Sequence, residues 1–320
     1  MLERFLTISL MILGSLAAGY VVRRLGLLPE SAARRLMTPV VVFFYPIIPL
    51  LALWVTPLRW GDLWLPALAA AQMALLAGLG VALGRLLTKD RVEEGMFALA
   101  SASPNCGLTM GAFVAYMVHD ENGLGISNIY GLMWTPMLVL MLYPLARRYA
   151  PTGGQLPLGR LLLRSLFDWR SVGLLMTLAG IVLSPSVLNV PRPALVAEWH
   201  VMDILTYSTN IVMYFAIGLQ LRASYVPSLR KLIAALALTR HVLGAATGLA
   251  LAGLTLLTPW PLVGDRWDVF LIQSCVSSAA TCVAIAAMFG LRPQQASVLF
   301  VANTVTYLAV VLPVILWLFR

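Results

Sequence analysis

Ten stretches of mostly apolar residues, each about 20 residues long, follow one another along this 320-residue chain. A helix of that length spans the hydrocarbon core of a bilayer, where every backbone polar group needs an internal partner. The sequence therefore predicts an all-α integral membrane protein with ten transmembrane helices. The predicted spans are 5–22, 37–56, 63–87, 95–118, 124–146, 171–189, 201–221, 230–257, 267–289 and 294–319.

Composition and charge agree with a chain embedded in a lipid bilayer. Hydrophobic residues make up 60% of the sequence and charged residues only 11%, far from the balance of soluble domains. The net charge is +9, and most Lys and Arg residues fall in alternate loops. The positive-inside rule predicts that these loops are cytoplasmic and that both termini are extracytoplasmic, in the inner (plasma) membrane. Because the basic charge follows topology, no nucleic-acid partner is predicted.

The first span and the cysteines have simple interpretations. The basic pair Arg23 and Arg24 follows the first span, whereas a signal peptide carries its charge ahead of the apolar run, so we expect a retained helix. Cys106, Cys275 and Cys282 fall in spans 4 and 9 without any metal-ligand spacing. The sequence therefore predicts packing cysteines, with no disulfide framework, metal or other cofactor.

The longest connection between spans, 147–170, divides the chain into residues 1–150 and 151–320, with five predicted spans each. An odd number of spans gives the two halves opposite orientations in the membrane. If the halves share a fold, they form an inverted repeat, as in many transporters.

Span 4 is interrupted at its centre by "SASPNCGLTMG", residues 101–111. Pro104 has no backbone N–H and clashes with the preceding turn, and Gly107 weakens the helix just beyond it. We expect a broken helix, in which the Asn105 amide and the unpaired N–H groups of the following half-helix suit a carboxylate. Ser103 completes the candidate substrate-binding residues here. The alternative is a proline kink that serves packing alone.

Span 9 carries a similar interruption, "SCVSSAATC", in the corresponding place of the second half. Ser277, Ser278 and Thr281 are its candidate substrate-binding residues, although this segment has neither proline nor asparagine. Matched interruptions in two inverted halves predict a binding site near the membrane midplane.

Polar residues within other spans are costly in lipid and are candidates for function. Arg240 in span 8 could attract an anion, cap carbonyl groups of the broken helices, or extend to the cytoplasmic surface. Asn210 in span 7 could face the substrate or a neighbouring helix. His241 and Asp203 are candidate proton-coupling groups, and a packed neutral histidine is the alternative for His241. Interhelical hydrogen bonding is the alternative to ligand contact for Ser208, Thr209, Gln72 (supporting the first break), Asn303 and Thr304 (both supporting the second).

Absent features narrow the mechanism. No Asp or Glu lies deep inside a predicted span, which disfavours a sodium site. The sequence has no nucleotide-binding loop and none of the residue patterns of an intramembrane enzyme. Uniport driven by the membrane potential needs no coupling residue. A channel or receptor stays open as another class, because a broken helix can line a pore.

The chain resembles the auxin efflux carrier family of membrane transporters, which includes bacterial permeases. The likeness begins with "LGSLAAGYVVRRLGLLPESAARRLMTPVVVFFYPIIPL", continues in "ASPNCGLTMGAF", and ends with "SSAATCVAIAAMFGLRPQQASVLFVANTVTYLAVVLPVILWL". These pieces cover nearly the whole chain. The sequence departs from plant members in lacking a proline at the second break.

The resemblance implies two inverted repeats of five helices, related in fold to bile acid:sodium symporters. Spans 1, 2, 6 and 7 would form a scaffold, through which the protein could dimerise, and spans 3–5 and 8–10 a transport domain. Broken helices 4 and 9 would cross in that domain, with Pro104 and Asn105 at the first crossover and Ser277, Ser278 and Thr281 at the second.

From residues and resemblance together we expect a secondary transporter of small organic anions such as carboxylates, working by alternating access in efflux or exchange. The alternatives are an anion channel, a receptor-like membrane protein and a sodium-coupled symporter of the bile-acid type.

Overall fold

The computed structural model describes residues 6–7, 10–151, 172–221 and 226–319. These residues form helices and connecting loops, with one isolated bridge between Pro104 and Ser278 and no strand. Within these described ranges, five helices are long and apolar enough to cross a membrane: Trp60–Leu87, Gly111–Tyr149, Val201–Gln220, Arg230–Thr255 and Pro293–Leu318. The predicted all-α class is confirmed, and these helices are typical of a membrane-embedded protein.

The helices are numbered here in chain order. They are α1 (10–24), α2 (32–55), α3 (Trp60–Leu87), α4 (Arg91–Ala102), α5 (Gly111–Gly131), α6 (134–149), α7 (Val172–Leu183), α8 (Ala194–Glu198), α9 (Val201–Gln220), α10 (Arg230–Thr255), α11 (Asp265–Ser274), α12 (Thr281–Phe289) and α13 (Pro293–Leu318).

Two predicted spans meet inside α5. His119 and Asp120 leave helical geometry, and Asp120 has a positive φ of 51°. The chain folds back at this point and brings Gly123 against Ala115. A Cβ on Gly123 would lie only 2.3 Å from the carbonyl oxygen of Ala115. This turn separates predicted spans 4 and 5. Most of the predicted connection 147–170 and the beginning of the first span lie outside the described residues.

Several helices widen to a π turn just before a proline. The π segments Val40–Phe44, Leu138–Leu142 and Tyr307–Val311 each end two residues before Pro46, Pro144 and Pro313. Proline removes one N–H and clashes with the carbonyl four residues earlier, so the local hydrogen bonding shifts. Two other π segments, Leu10–Gly14 and Leu238–Leu243, are not followed by a proline, so proline does not explain them.

The described helices pack in two groups. In the first group α9 contacts α1 and α2, and α7 contacts α2, whereas in the second group α3–α6 contact α10–α13. The first group is packed closely at two glycines: a Cβ on Gly19 would lie 2.1 Å from the Phe215 carbonyl oxygen, and one on Gly218 2.1 Å from the Leu16 carbonyl oxygen. Helices α2 and α5 contact each other across the two groups.

A buried ion pair joins the beginnings of α3 and α11. The Arg266 guanidinium donates to the carboxylate of Asp62, and both side chains are 6% exposed. Arg266 also donates to the Pro57 carbonyl oxygen at 2.7 Å, and Asp62 accepts the backbone N–H of Arg59 at 2.7 Å. These contacts fix the ends of the two helices relative to each other.

Candidate functional site

Two interrupted helices cross at the predicted positions. Helix α4 ends at Ala102 and α5 begins at Gly111, while α11 ends at Ser274 and α12 begins at Thr281. The two breaks pair in antiparallel fashion at Pro104 and Ser278. We refer to the paired segments 103–105 and 277–279 as the crossover.

Each break satisfies backbone groups of the other. Asn105 donates its N–H to the Ser277 carbonyl oxygen at 2.8 Å, and Ala279 donates its N–H to the Ser103 carbonyl oxygen at 2.8 Å. Pro104 lies between these two bonds and has no N–H to lose. Backbone freed by a break inside apolar surroundings needs such partners, so the segment is a paired break and not only a proline kink.

The Arg240 guanidinium donates hydrogen bonds to carbonyl oxygens at both breaks. Its Nε and Nη2 donate to the Val276 carbonyl oxygen at 3.1 and 2.8 Å, and its Nη1 donates to the Ser101 carbonyl oxygen at 3.2 Å. These carbonyls lie at the C-terminal ends of α11 and α4, which carry partial negative charge. Through these bonds Arg240 caps both broken helices, one of the roles considered for it. Because the residue is only 1% exposed, the alternative of a side chain that extends to the cytoplasmic surface does not hold.

The side chain of Asn105 is held from one side only. Its Oδ1 accepts the Thr109 hydroxyl at 2.6 Å, whereas its Nδ2 has no hydrogen-bond partner among the described residues. The residue is 4% exposed. The hydroxyls of Ser101 and Ser103 likewise have no hydrogen-bond partner among the described residues. The first break therefore contains several buried polar groups without a described partner.

The beginning of α5 differs from the expectation of free N–H groups. Gly111 donates its N–H to the Asn105 carbonyl oxygen at 2.9 Å, and Ala112 donates to the carbonyls of Cys106 and Gly107 at 3.2 and 3.1 Å. The preceding loop thus caps its own helix, and these two N–H groups are not free for a ligand. The helix dipole still favours negative charge near this end.

Gly107 is exposed, unlike the buried residues on either side of it. A Cβ built on Gly107 would meet no atom within 4 Å. The first break is therefore open at Gly107 itself, between buried residues on both sides.

The second break is tied to α4 and α13. Ser278 donates its hydroxyl to the Ala100 carbonyl oxygen at 2.8 Å and its N–H to Asn303 Oδ1 at 2.8 Å. Thr304 donates its hydroxyl to Ser277 Oγ at 3.4 Å. The expectation that Asn303 and Thr304 support this break is confirmed. Thr281 is the half-buried first residue of α12.

Gln72 supports a different break from the expected one. Its Nε2 donates to the carbonyl oxygens of Gly244 and Ser274 at 3.0 and 3.1 Å. Ser274 ends α11, so Gln72 supports the second break, and its assignment to the first was wrong. The sequence alone offered no indication of this partner, which lies about two hundred positions further along the chain.

His241 follows Arg240 within the π segment Leu238–Leu243. Its Nδ1 lies 2.9 Å from the Cys275 carbonyl oxygen and its Nε2 lies 3.0 Å from Asn303 Nδ2. Local π geometry is frequent at functional sites. Here it lets two successive side chains, Arg240 and His241, both reach the second break.

One face of α9 lies against α5. Asp203 accepts the Tyr116 hydroxyl at 2.5 Å, the Tyr207 ring lies edge-on to Phe113 with centroids 6.1 Å apart, and the Tyr214 hydroxyl donates to the Thr109 carbonyl oxygen. Asp203 therefore lies away from the crossover, beside the part of α5 that precedes the turn at His119 and Asp120.

Asn210 lies on that same face of α9, because it is seven positions after Asp203 and four before Tyr214. Its Nδ2 donates to the Thr206 carbonyl oxygen at 2.9 Å, its Oδ1 has no described partner, and the residue is fully buried. Thr209 is also buried without a described partner for its hydroxyl, whereas Ser208 is half-buried.

Sequence reasoning missed two residues of this site. Gln273 donates its Nε2 to the Cys106 carbonyl oxygen at 3.1 Å, and Tyr214 holds the carbonyl of Thr109. Gln273 could have been predicted, because its polar amide lies one residue before a predicted break. Tyr214 could not, because the sequence does not distinguish it from other aromatic residues in the spans. The three cysteines are free and buried, as expected of packing residues.

No family model matches this sequence, and no curated protein matches it either. The resemblance to the auxin efflux carrier family therefore stays a prediction from the sequence.

Proposed function

We propose that this protein is a secondary membrane transporter that moves small organic anions, such as carboxylates, by alternating access in efflux or exchange. The observation that carries the proposal is the buried Asn105 amide, whose Nδ2 has no described partner and which lies two residues before the exposed Gly107. A buried amide donor left unpaired costs free energy, and an acceptor oxygen of a ligand would recover it.

The electrostatics of the crossover support an anion over a cation. The Arg240 guanidinium is buried, and the hydrogen bonds that the structure gives it go to carbonyl oxygens. A buried positive charge without a carboxylate partner favours a negatively charged ligand nearby. The dipole of α5 acts in the same direction.

The packing of the helices supports alternating access. Helices α1, α2, α7 and α9 correspond to the scaffold that the resemblance implies, and α3–α6 with α10–α13 correspond to the transport domain. In this proposal each inverted repeat contributes helices to both groups, and the two groups move relative to each other in the plasma membrane. Both termini are extracytoplasmic, and a dimer would form through the scaffold. The links from Tyr116 to Asp203 and from Glu121 to Arg192, the latter at 2.5 Å, would open and close in each cycle.

Counterflow in proteoliposomes tests this proposal. Vesicles containing the purified protein are loaded with unlabelled acetate, succinate or indole-3-acetate, and uptake of the same labelled compound is followed. We expect saturable uptake stimulated by the internal anion. Asn105→Ala should abolish it, whereas Asn128→Ala, a matched change at an amide that bonds within its own helix, should retain it.

Each other outcome identifies an alternative. Uptake that does not saturate and is not stimulated from inside would indicate an anion channel. Uptake that requires sodium would indicate a symporter of the bile-acid type. Absence of uptake for every anion, with the protein folded, would contradict the proposal.

A further inference from the structure

A chain of three hydrogen bonds starts and ends on the second break. Cys275 O is 2.9 Å from His241 Nδ1, His241 Nε2 is 3.0 Å from Asn303 Nδ2, and Asn303 Oδ1 is 2.8 Å from Ser278 N. All four residues are at least nine-tenths buried. The chain therefore connects α10 and α13 to the crossover without using solvent.

The direction of every bond in this chain is fixed by its two ends. A carbonyl oxygen can only accept, and a backbone N–H can only donate. Asn303 must therefore present its oxygen to Ser278 and its NH2 group to His241. It follows that His241 Nε2 accepts and that Nδ1 carries the proton. The two backbone groups alone determine the orientation of the Asn303 amide and the tautomer of His241.

Protonation of His241 conflicts with this arrangement. An imidazolium donates from both nitrogens, so Nε2–H would face the NH2 group of Asn303. Turning the Asn303 amide over would place that NH2 group against the N–H of Ser278. Two donors face each other in either orientation, so a proton can be accepted only if one of the bonds breaks. A buried group without its partner then destabilises the crossover.

The surroundings of His241 offer nothing that would favour a positive charge. The charged and titratable groups that face it are the Arg240 guanidinium on its own helix, the Cys275 thiol after α11, and the Tyr307 phenol of α13, whose ring centroid is 5.9 Å away. Among the described residues no carboxylate pairs with His241. The cation next to it repels a second positive charge.

We propose that His241 is a positioning residue of the crossover: its neutral Nδ1–H form holds Asn303 against Ser278, and protonation releases Ser278. Ser278 follows Ser277, whose carbonyl holds Asn105, so the disturbance reaches the first break. Acid is then expected to disorganise the anion site. That consequence for transport rests on the proposed function, whereas the hydrogen-bond chain does not.

Two variants separate this proposal from a general need for histidine. His241→Gln retains one donor and one acceptor but cannot take up a proton. Asn303→Asp offers two acceptors, so it can bind the Ser278 N–H and a protonated Nε2–H at the same time. The melting temperature of the ligand-free full chain in detergent is measured from about pH 7.5 to about pH 4.5, a range that includes the ordinary His pKa of about 6.5. His119→Gln and His200→Gln are the controls, since these are the other two histidines.

The wild type and both controls are expected to lose stability as the pH falls. His241→Gln should lose less, by at least about 2 °C at the acid end, and Asn303→Asp should gain stability relative to the wild type there. A difference between His241→Gln and the wild type that is the same at every pH would overturn the proposal, as would an Asn303→Asp variant that follows the wild type.

A spectroscopic measurement covers the case in which a variant does not fold. Ring nitrogen NMR of ¹⁵N-histidine-labelled wild-type protein should show His241 as the Nδ1–H tautomer at neutral pH, and an Nε2–H tautomer would refute the assignment. Because these measurements use no ligand, their failure is distinct from failure of the counterflow assay.

Discussion

The backbone N–H of Asn105 donates to the carbonyl oxygen of Ser277 across the crossing of two interrupted helices, at 2.8 Å. The residue whose side chain carries the proposed anion contact is thus also held by the other break. A change in the second break is therefore expected to affect the position of Asn105, although the second break and Asn105 lie far apart in sequence.

Arg240 is predicted to be required for the stability of the crossover. Arg240→Gln removes the donors to the carbonyls of Val276 and Ser101 and should lower the unfolding free energy by about 3 kcal/mol, since each buried carbonyl loses its partner. Arg240→Lys should recover part of the loss. Unfolding in mixed detergent micelles measures this, with Arg85→Gln, a side chain 56% exposed, as the control. Equal stabilities of Arg240→Gln and wild type would contradict the capping role.

The buried pair of Asp62 and Arg266 gives a second prediction. Asp62→Asn leaves the Arg266 charge buried without its partner and should cost about 3–5 kcal/mol. Replacing both residues with apolar ones, Asp62→Leu with Arg266→Met, should recover much of that stability because no lone charge remains. The same unfolding assay applies. A double variant less stable than Asp62→Asn would contradict this prediction. It would show that the ion pair adds more to the unfolding free energy than the burial of its two charges costs.

Close packing of α1 and α9 gives a third prediction. Gly218→Ala would bring a Cβ to 2.1 Å from the Leu16 carbonyl oxygen, so the two helices must separate, at a cost of about 1–3 kcal/mol. Gly78→Ala in α3 is the matched control, because its Cβ would meet nothing within 4 Å. Alanine there should be neutral or stabilising by about 0.5–1 kcal/mol. Similar melting temperatures for the two variants would contradict the described contact.

The stability of the protein is expected to depend on pH through the carboxyl group of Asp90. Partial burial acts to raise the pKa of this carboxyl, but hydrogen bonds from Arg292 and from the N–H groups of Val92 and Glu93 lower it overall. A carboxyl with a depressed folded pKa stabilises the protein above its unfolded pKa of about 3.9 and loses that contribution as the pH falls through the folded value.

Asp90→Ala removes this cap of α4 and should cost about 1 kcal/mol near neutral pH. The difference from the wild type should shrink towards about pH 2, where the carboxyl is protonated in both states. Thermal unfolding over this range measures it. A difference that stays constant down to the lowest pH would show that the carboxylate charge plays no part.

The sequence predicted the breaks because their causes are local. Pro104 cannot donate an N–H, Gly107 weakens a helix, and the Ser and Thr residues of the second break form a compact polar group in an apolar span. Polar groups this deep must find partners, so contacts of Asn303 and of Arg240 with the breaks could also be anticipated.

Long-range pairing and the capping of α5 could not be predicted in this way. The partner of Gln72 depends on how α3 and α11 pack, which no local pattern records. The N–H groups that begin α5 are occupied by carbonyls of residues 105–107, because the loop turns back on its own helix. The ion pair of Asp62 and Arg266 joins two loop-flanking residues that the sequence shows only as separate charges.

Binding of an anion next to Asn105 is the central claim, and a thermal-shift measurement tests it most directly. The purified protein is melted in detergent with acetate, succinate, indole-3-acetate, neutral amino acids or Na⁺, since a ligand of the folded state raises its apparent stability by mass action. We predict that at least one carboxylate stabilises the wild type and Asn128→Ala but not Asn105→Ala. Stabilisation of the wild type only by neutral compounds or Na⁺, or equal stabilisation of Asn105→Ala by the carboxylate, would contradict the claim.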